Sequence, residues 1–285
     1  MLGIPLRYLL KHPIATVADL AADPRQAWAT MQDAYVYARE RRGPQCSYTS
    51  DVDWEQRMHH ALGCAWPCPQ ADEFWELWPR VIAELEAKGI HAGPESFQSW
   101  NDGDAALVRA IWCLTRHLKP QKVVETGVGH GVTSRFILEA MERNGSGQLW
   151  SIDLPPIDRF WRNQVGAAVG DPQTNPYAAR WTLLKGSSRS RLPQLLASLG
   201  EIDLFIHDSL HSARNVRFEL DLAWPTLGSH GALVVDDVDA NCAFRDFTQA
   251  MPAQESILAE AEPIHPDLRR SNNKGLFGII FKPTA

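Results

Sequence analysis

Two rhythms of apolar and polar positions divide the chain. From about Asp102 onward, short apolar and β-branched runs alternate with helical stripes. The runs Val123–Val124, Leu149–Ile152, Trp181–Leu184, Ile202–Ile206 and Ala232–Val235 predict buried strands. Helical patterns separate them, notably Val132 to Asn144 and Arg214 to Leu227, and Leu276–Phe281 is a final strand with no helix after it. Asp102 or Asp104 stands where a cap would, ahead of a helix that runs to Leu118 and is stopped by Pro120. Strands alternating with helices predict an α/β fold, a doubly wound and mostly parallel sheet with helices on both faces.

Residues 1–100 have a different pattern, Trp-rich and helical. Between Asp72 and Lys88 the apolar positions Phe74, Leu77, Trp78, Val81, Ile82 and Leu85 form one stripe, and Gly89 ends it. Gly43 to Trp54 and Gly63 to Gln70 have the composition of loops. The expected organisation is a helical N-terminal extension over 1–100 and one larger domain over 101–285. The extension holds no chemical motif of its own and is expected to pack on the domain, where it could cap a substrate pocket.

Composition narrows the partners. The chain has 285 residues, 45% hydrophobic and 22% charged, with a formal net charge of −6. These are globular values, and the negative balance argues against nucleic acid as main partner. The basic groups Arg39, Arg41 and Arg42, and Arg269 with Arg270, are expected on solvated surface. Arg7, Lys11, His12, Pro13 and Asp19 interrupt the apolar run from Pro5 to Leu20, which excludes a membrane span there and argues against a secretory signal. Five cysteines, Cys46, Cys64, Cys68, Cys113 and Cys242, are expected to form no disulfide framework, and the odd count fits a reducing cytoplasm. Cys64-x-x-x-Cys68 near His59 and His60 invites a zinc site. The spacing is loose and Trp66 and Pro67 intervene, so the expectation goes against one. A homo-oligomer is compatible with all of this.

Lys122-Val-Val-Glu-Thr-Gly-Val-Gly-His-Gly131 carries the densest chemical information. A strand ends in an acid, glycine then recurs at every second position, and a helical pattern begins at once. Gly127, Gly129 and Gly131 allow a sharp turn and a close ligand approach. Glu125 and Thr126 stand at the strand's carboxyl end, where Glu125 can accept hydrogen bonds from a ligand. A dinucleotide fingerprint needs glycine or alanine at the position held by Val132, which disfavours a nicotinamide oxidoreductase. The actual pattern, Glu-x-Gly-x-Gly-x-Gly, resembles motif I of class I S-adenosylmethionine-dependent methyltransferases. That resemblance implies a Rossmann-like seven-stranded sheet and S-adenosyl-L-methionine as cofactor.

Three further segments follow at the family's distances. Leu149-Trp-Ser-Ile-Asp153 ends its strand in an acid, and an acid there can chelate both ribose hydroxyls of an adenosine. Leu184-Lys-Gly-Ser-Ser188 occupies the place where the family holds adenine, which makes Ser187 and Ser188 candidate contacts. Ile202 to Asp208 and Gly231 to Val238 are strands whose carboxyl ends bring Asp208, Asp236 and Asp237 to one rim. Three converging carboxylates repel unless something positive joins them, and a hard divalent cation, Mg²⁺, is the simplest candidate.

These positions resemble the metal site of catechol-type O-methyltransferases, with Asp237 where that family has Asn. His211 stands where the family has a lysine base, three residues after the first metal aspartate, and a neutral imidazole can take a hydroxyl proton. Asp-x-x-His also resembles a bacterial group that includes macrolide-sugar O-methyltransferases and cephalosporin-hydroxylase-like proteins. The implied activity is O-methyl transfer to a small-molecule or sugar hydroxyl. A hydroxylase-like relative with the same sites, and a non-catalytic nucleoside-binding protein, are the alternatives. Strand alternation turns His207 away from Asp208, a structural placement, and His130 is expected beside the donor. Trp161 and Trp181 are expected in the core. Pro155 to Ala179 is longer than a minimal connection and could close over the site as a lid.

Overall fold

The computed structural model describes residues 24–40, 46–91, 104–156, 159–251, 256–262 and 275–283. Pro5 to Leu20, Arg41, Arg42, Asp102, Arg269 and Arg270 lie outside them. The helices are α1 (Pro24–Glu40), α2 (Trp54–Ala61), α3 (Pro69–Ala87), α4 (Ala105–Leu118), α5 (Val132–Asn144), α6 (Arg159–Arg162), α7 (Ser188–Leu199), α8 (Ala213–Thr226) and α9 (Ala243–Gln249). The strands are β1 (Lys122–Thr126), β2 (Gln148–Asp153), β3 (Trp181–Lys185), β4 (Ile202–His207), β5 (Leu227–Val235), β6 (Ser256–Glu260) and β7 (Leu276–Phe281).

The strands form one seven-stranded sheet in the order β3-β2-β1-β4-β5-β7-β6, in which β7 runs opposite to the other six. The expected α/β Rossmann-like sheet is therefore the observed one. β6 is the strand that no apolar run announced. It pairs only with β7 at the sheet's edge, and its burial alternates through Ile257 and Ala259 in a span of 5 residues.

Local chemistry sets the helix ends that frame the site. Asp104 caps α4 by accepting hydrogen bonds from the Ala106 and Leu107 amides at 2.9 and 3.2 Å. Lys119, in the left-handed region, ends that helix before Pro120. α5 starts at Val132, directly after Gly131, and Gly145 ends it.

One apolar cluster joins the N-terminal helices to the sheet. Trp54, Met58, Phe74, Leu77, Val81 and Leu85 from α2 and α3 share it with Trp112, Phe136 and Phe277. The stripe read between Asp72 and Lys88 is thus the buried face of α3. Arg109 reinforces the contact from α4, with bonds to Glu55 of α2 and a fork of two 2.9 Å bonds to Glu262 beyond β6. Trp181 is half-buried against this cluster and donates to Ser151 at 2.9 Å.

The cysteine expectation needs correction. Cys46 and Cys242 are joined by a disulfide across 196 residues of sequence, leaving Cys64, Cys68 and Cys113 as free thiols. Spacing along the chain carries no signal for a pair so far apart, and the compartment argument from five free thiols falls away. Among the described residues, no helix is long and apolar enough to cross a membrane.

Candidate functional site

The ladder of the parallel sheet extends past the strand ends and fixes the site's backbone. The Gly127 amide donates to Ile152, Asp208 to Thr126, and Asp236 to His207, at 2.8, 2.8 and 2.9 Å. Four carboxyl ends therefore reach one rim in register: the glycine loop after β1, Asp153 ending β2, Asp208 after β4, and Asp236 with Asp237 after β5.

The glycine loop is held from two sides. Asp153, 8% exposed, accepts from the Val128 amide at 2.8 Å and the Gly129 amide at 3.4 Å with the same Oδ2. On the other side, the Gly166 amide donates to the Gly129 carbonyl at 3.0 Å and Ala168 to the His130 carbonyl at 2.8 Å. The Pro155–Ala179 segment thus lies docked on the loop. Gly131 makes that docking possible: at φ +80°, a Cβ there would stand 2.9 Å from the Gly166 Cα. His130 is buried, with Nε2 3.1 Å from Gln164 Oε1 in the same segment.

Gly127 serves a different neighbour from the expected ligand. At φ +86°, a Cβ would overlap the Asp208 carbonyl and come within 2.9 Å of the Ser209 amide nitrogen. Its smallness lets the loop after β1 and the end of β4 touch.

Glu125 is buried inside the sheet's rim. Its Oε2 accepts from Ser134 and Ser151, each at 2.6 Å. Burial raises its pKa to about 7, against the two serine hydrogen bonds that lower it, and Asp153 adds to the rise. At neutral pH it is therefore near half-protonated. The Thr126 hydroxyl is also committed inward, donating to Glu219 at 2.5 Å. Ser187 caps α7 in position, with its hydroxyl 3.2 Å from Ser190, while Ser188 is buried and reaches Asn215 at 3.4 Å.

Glu219 is a functional-site residue that sequence reasoning passed over. It lies fully buried on α8 between Val216 and Leu220 and collects Thr126, His207 Nδ1, Ser209 and Asn215 at 2.5–2.8 Å. Burial alone would raise it, but the His207 ring and these donors outweigh burial and hold it near 2. An acid inside an apolar helical stripe was the available signal. The network turns His207 inward, as alternation predicted, and stiffens the turn that presents Asp208 and His211.

His211 precedes the Ser212 cap of α8 and is 6% exposed. Its Nε2 faces Asp208 Oδ1 at 3.6 Å and Asp236 Oδ2 at 3.7 Å, while Nδ1 lies 3.3 Å from Asp237 Oδ2. Asp208, His211 and Asp236 offer ligand atoms within 4.8 Å of one another. The expected trio of Asp208, Asp236 and Asp237 therefore comes together around the histidine, with Asp237 on its far nitrogen. Asp237 has φ +49°, the left-handed region that Asn and Asp tolerate best. Burial pushes the Asp208 and Asp236 pKa values well above the carboxylate range; the Asp236 and Asp237 charges push Asp208 further, while Asp237 and Asp104 push Asp236 further against a hydrogen bond with Asp208 that lowers it. Such a cluster demands a proton or a cation between its oxygens, and oxygen-rich ligands with one imidazole fit a hard divalent ion.

The comparisons with known proteins bear on the fold. Residues 124–238 match the family model of a methyltransferase domain. An O-methyltransferase of Streptomyces achromogenes, TomG, solved with S-adenosylmethionine, is similar in fold at TM-score 0.53 and 12% identity, over 73% of this chain and 89% of that one. A putative O-methyltransferase of Klebsiella pneumoniae gives 0.51 and 17% over 82% and 97%. One from Bacillus cereus, solved with S-adenosylhomocysteine, gives 0.50 and 11% over 80% and 98%. By sequence, no curated protein matches the chain. At such identities the neighbours establish the fold, and the chemistry rests on the residues above.

Proposed function

We propose that this chain, whose residues 124–238 carry a methyltransferase domain of the class I fold, moves the methyl group of S-adenosylmethionine to a hydroxyl oxygen of a small molecule or sugar. The observation that carries this reading is the shared rim. A glycine loop clamped by Asp153 stands beside a histidine ringed by three carboxylates. Asp153 spends Oδ2 on the loop amides and would hold the donor's ribose with the rest of its carboxylate. The backbone at Ser187 and Ser188 would border the adenine, and Glu125 would support the loop from below, its Oε2 already engaged.

Transfer breaks the bond from methyl carbon to sulfonium sulfur as the carbon–oxygen bond forms, and sulfur keeps the electron pair as a neutral thioether. The acceptor's hydroxyl proton must leave. His211 Nε2 is placed to take it, with Nδ1–H held by Asp237 so that the neutral ring presents its lone pair toward Asp208 and Asp236. A divalent ion between Asp208 and Asp236 would lower the hydroxyl pKa and fix the oxygen. His211 could instead become a third ligand of that ion, and the two roles separate by experiment.

Calorimetry with S-adenosylhomocysteine against NAD tests the donor, with binding of the first alone expected. Thioether release from S-adenosylmethionine across phenol, catechol and sugar acceptors tests the transfer. EDTA should suppress it and Mg²⁺ or Mn²⁺ restore it. Full turnover after exhaustive chelation removes the metal and leaves Asp208 and Asp236 as hydrogen-bond acceptors.

A further inference from the structure

A second cluster lies away from this rim, where the N-terminal helices meet α4. His59 of α2, Cys68 at the cap of α3 and Cys113 of α4 place Nε2 and two Sγ atoms within 4.8 Å of one another. All three are buried, at 0%, 3% and 1% exposure. His117, one helical turn after Cys113, adds Nε2 at 3.1 Å from Cys68 Sγ. We propose that His59, Cys68, Cys113 and His117 form a tetrahedral zinc site that fastens α2 and α3 to α4.

Each histidine is already prepared for the role. His59 Nδ1 can only donate to the Glu55 carbonyl, 2.7 Å away, so the neutral ring carries its lone pair on Nε2. That Nε2 is buried without a hydrogen-bond partner among the described residues. An orphaned imidazole nitrogen beside two thiols costs free energy unless something accepts its lone pair. His117 is held in a similar way, with Nδ1 3.1 Å from the Cys64 thiol, which can accept from it or donate to it, and Nε2 turned to Cys68. An outer partner that fixes the ring while the other nitrogen faces inward is how metal-bound histidines are held.

The donor set selects the ion. Two thiols and two imidazoles, with His59, Cys68 and Cys113 buried and His117 half-buried at the edge, match a structural zinc site and suit no hard oxygen-seeking cation. In the bound site Cys68 and Cys113 are both thiolates. Trp66 and Pro67, which looked like obstacles between the cysteines, belong to the wall. The Trp66 ring packs on His59 with centroids 4.7 Å apart. Cys64, the residue the spacing pointed to, takes the outer position behind His117 instead of the ion.

Metal content decides the matter. Full-length protein purified under reductant, without chelator, should carry one zinc per chain, and cobalt should replace it with the intense visible bands of a tetrahedral site and sulfur charge transfer from two thiolates. Cys113→Ser and His117→Gln should each lose the ion or change that spectrum, with helix content and S-adenosylhomocysteine affinity retained. Cys64→Ser and Asp208→Asn should keep zinc and two-thiolate intensity. Folded wild-type protein with no zinc and no cobalt spectrum overturns the proposal, whatever the variants do. So does charge transfer from three thiolates, zinc undiminished by Cys113→Ser, or a Cys68–Cys113 disulfide that persists under reductant.

Discussion

Among the described residues, two clusters of metal-ligating side chains stand out, built on opposite plans. The rim cluster is hard and half-open: Asp208 and Asp236 keep side-chain exposures of 28% and 20%, and every member follows a strand end. The helical cluster is soft and shut, assembled from α2, α3 and α4 by side chains alone. Openness suits a site that must admit an acceptor and release a product. Closure suits a site whose contents stay. Converging ionisable groups alone do not mark a reaction centre, and access and donor softness separate the two roles.

The largest expected effect separates the clusters by rate. His211→Ala should lower kcat on the order of 10²–10⁴-fold with S-adenosylhomocysteine affinity unchanged, as for loss of a positioned base. His59→Gln in the helical cluster should leave kcat within a few-fold and lower Tm instead. If His211→Ala keeps the wild-type rate and the wild-type dependence of rate on pH, His211 is not the base. If it weakens Mg²⁺ binding while that pH dependence persists, it is a ligand.

Gly127→Val tests whether the rim is a backbone construction. The added Cβ collides with the Asp208 carbonyl and the residue sits at φ +86°, so stability should fall by about 3 kcal/mol or more in urea unfolding. A variant as stable as wild type that loses only the donor would return Gly127 to the simple role of clearing space for ligand.

Glu125 distinguishes the clusters by pH. Its folded pKa of about 7 exceeds the ordinary value of 4.5, so the native state binds the proton more tightly than the unfolded chain. Its contribution therefore falls as pH rises from about 4.5 to 7, by up to about 3 kcal/mol, and stays lost above that. Glu125→Gln should keep both serine bonds, flatten that limb and exceed wild-type stability at pH 8. Parallel pH–stability curves for the two proteins would show that Glu125 titrates normally. The smallest effect belongs to Asp153→Ala, which should weaken S-adenosylhomocysteine by about 1–3 kcal/mol in calorimetry. Unchanged affinity takes Asp153 off the ribose and leaves it with the loop.

What the sequence made legible followed from short-range order. The Glu125–Gly131 pattern, the acids ending β2, β4 and β5, and the limits of α5 are written within single stretches of strand, turn and helix. Parallel pairing then sets those stretches side by side, so local signals become a site. The helical cluster had no such route. Cys68 and Cys113 are far apart in sequence, and tertiary contacts alone, the packing of Phe74, Trp112 and Phe136 with the Trp112–Gln70 hydrogen bond, bring their helices together. Glu219 stayed hidden because an acid on an amphipathic helix reads as solvated unless its partners, one strand away, are already known. β6 stayed hidden because a short edge strand leaves only two fully buried side chains to betray it.

The Cys46–Cys242 bond has a consequence in covalent topology. It closes a ring of backbone that runs from α2 to α8 and through the first five strands, and leaves α1, α9, β6, β7 and the chain's ends outside it. A protease that cuts once inside the ring opens a loop but frees no piece, whereas after a cut beyond Cys242 only sheet pairing and packing hold the last two strands. On a denaturing gel without reductant, nicks in the Pro155–Ala179 segment would go unseen, and adding reductant would make them appear.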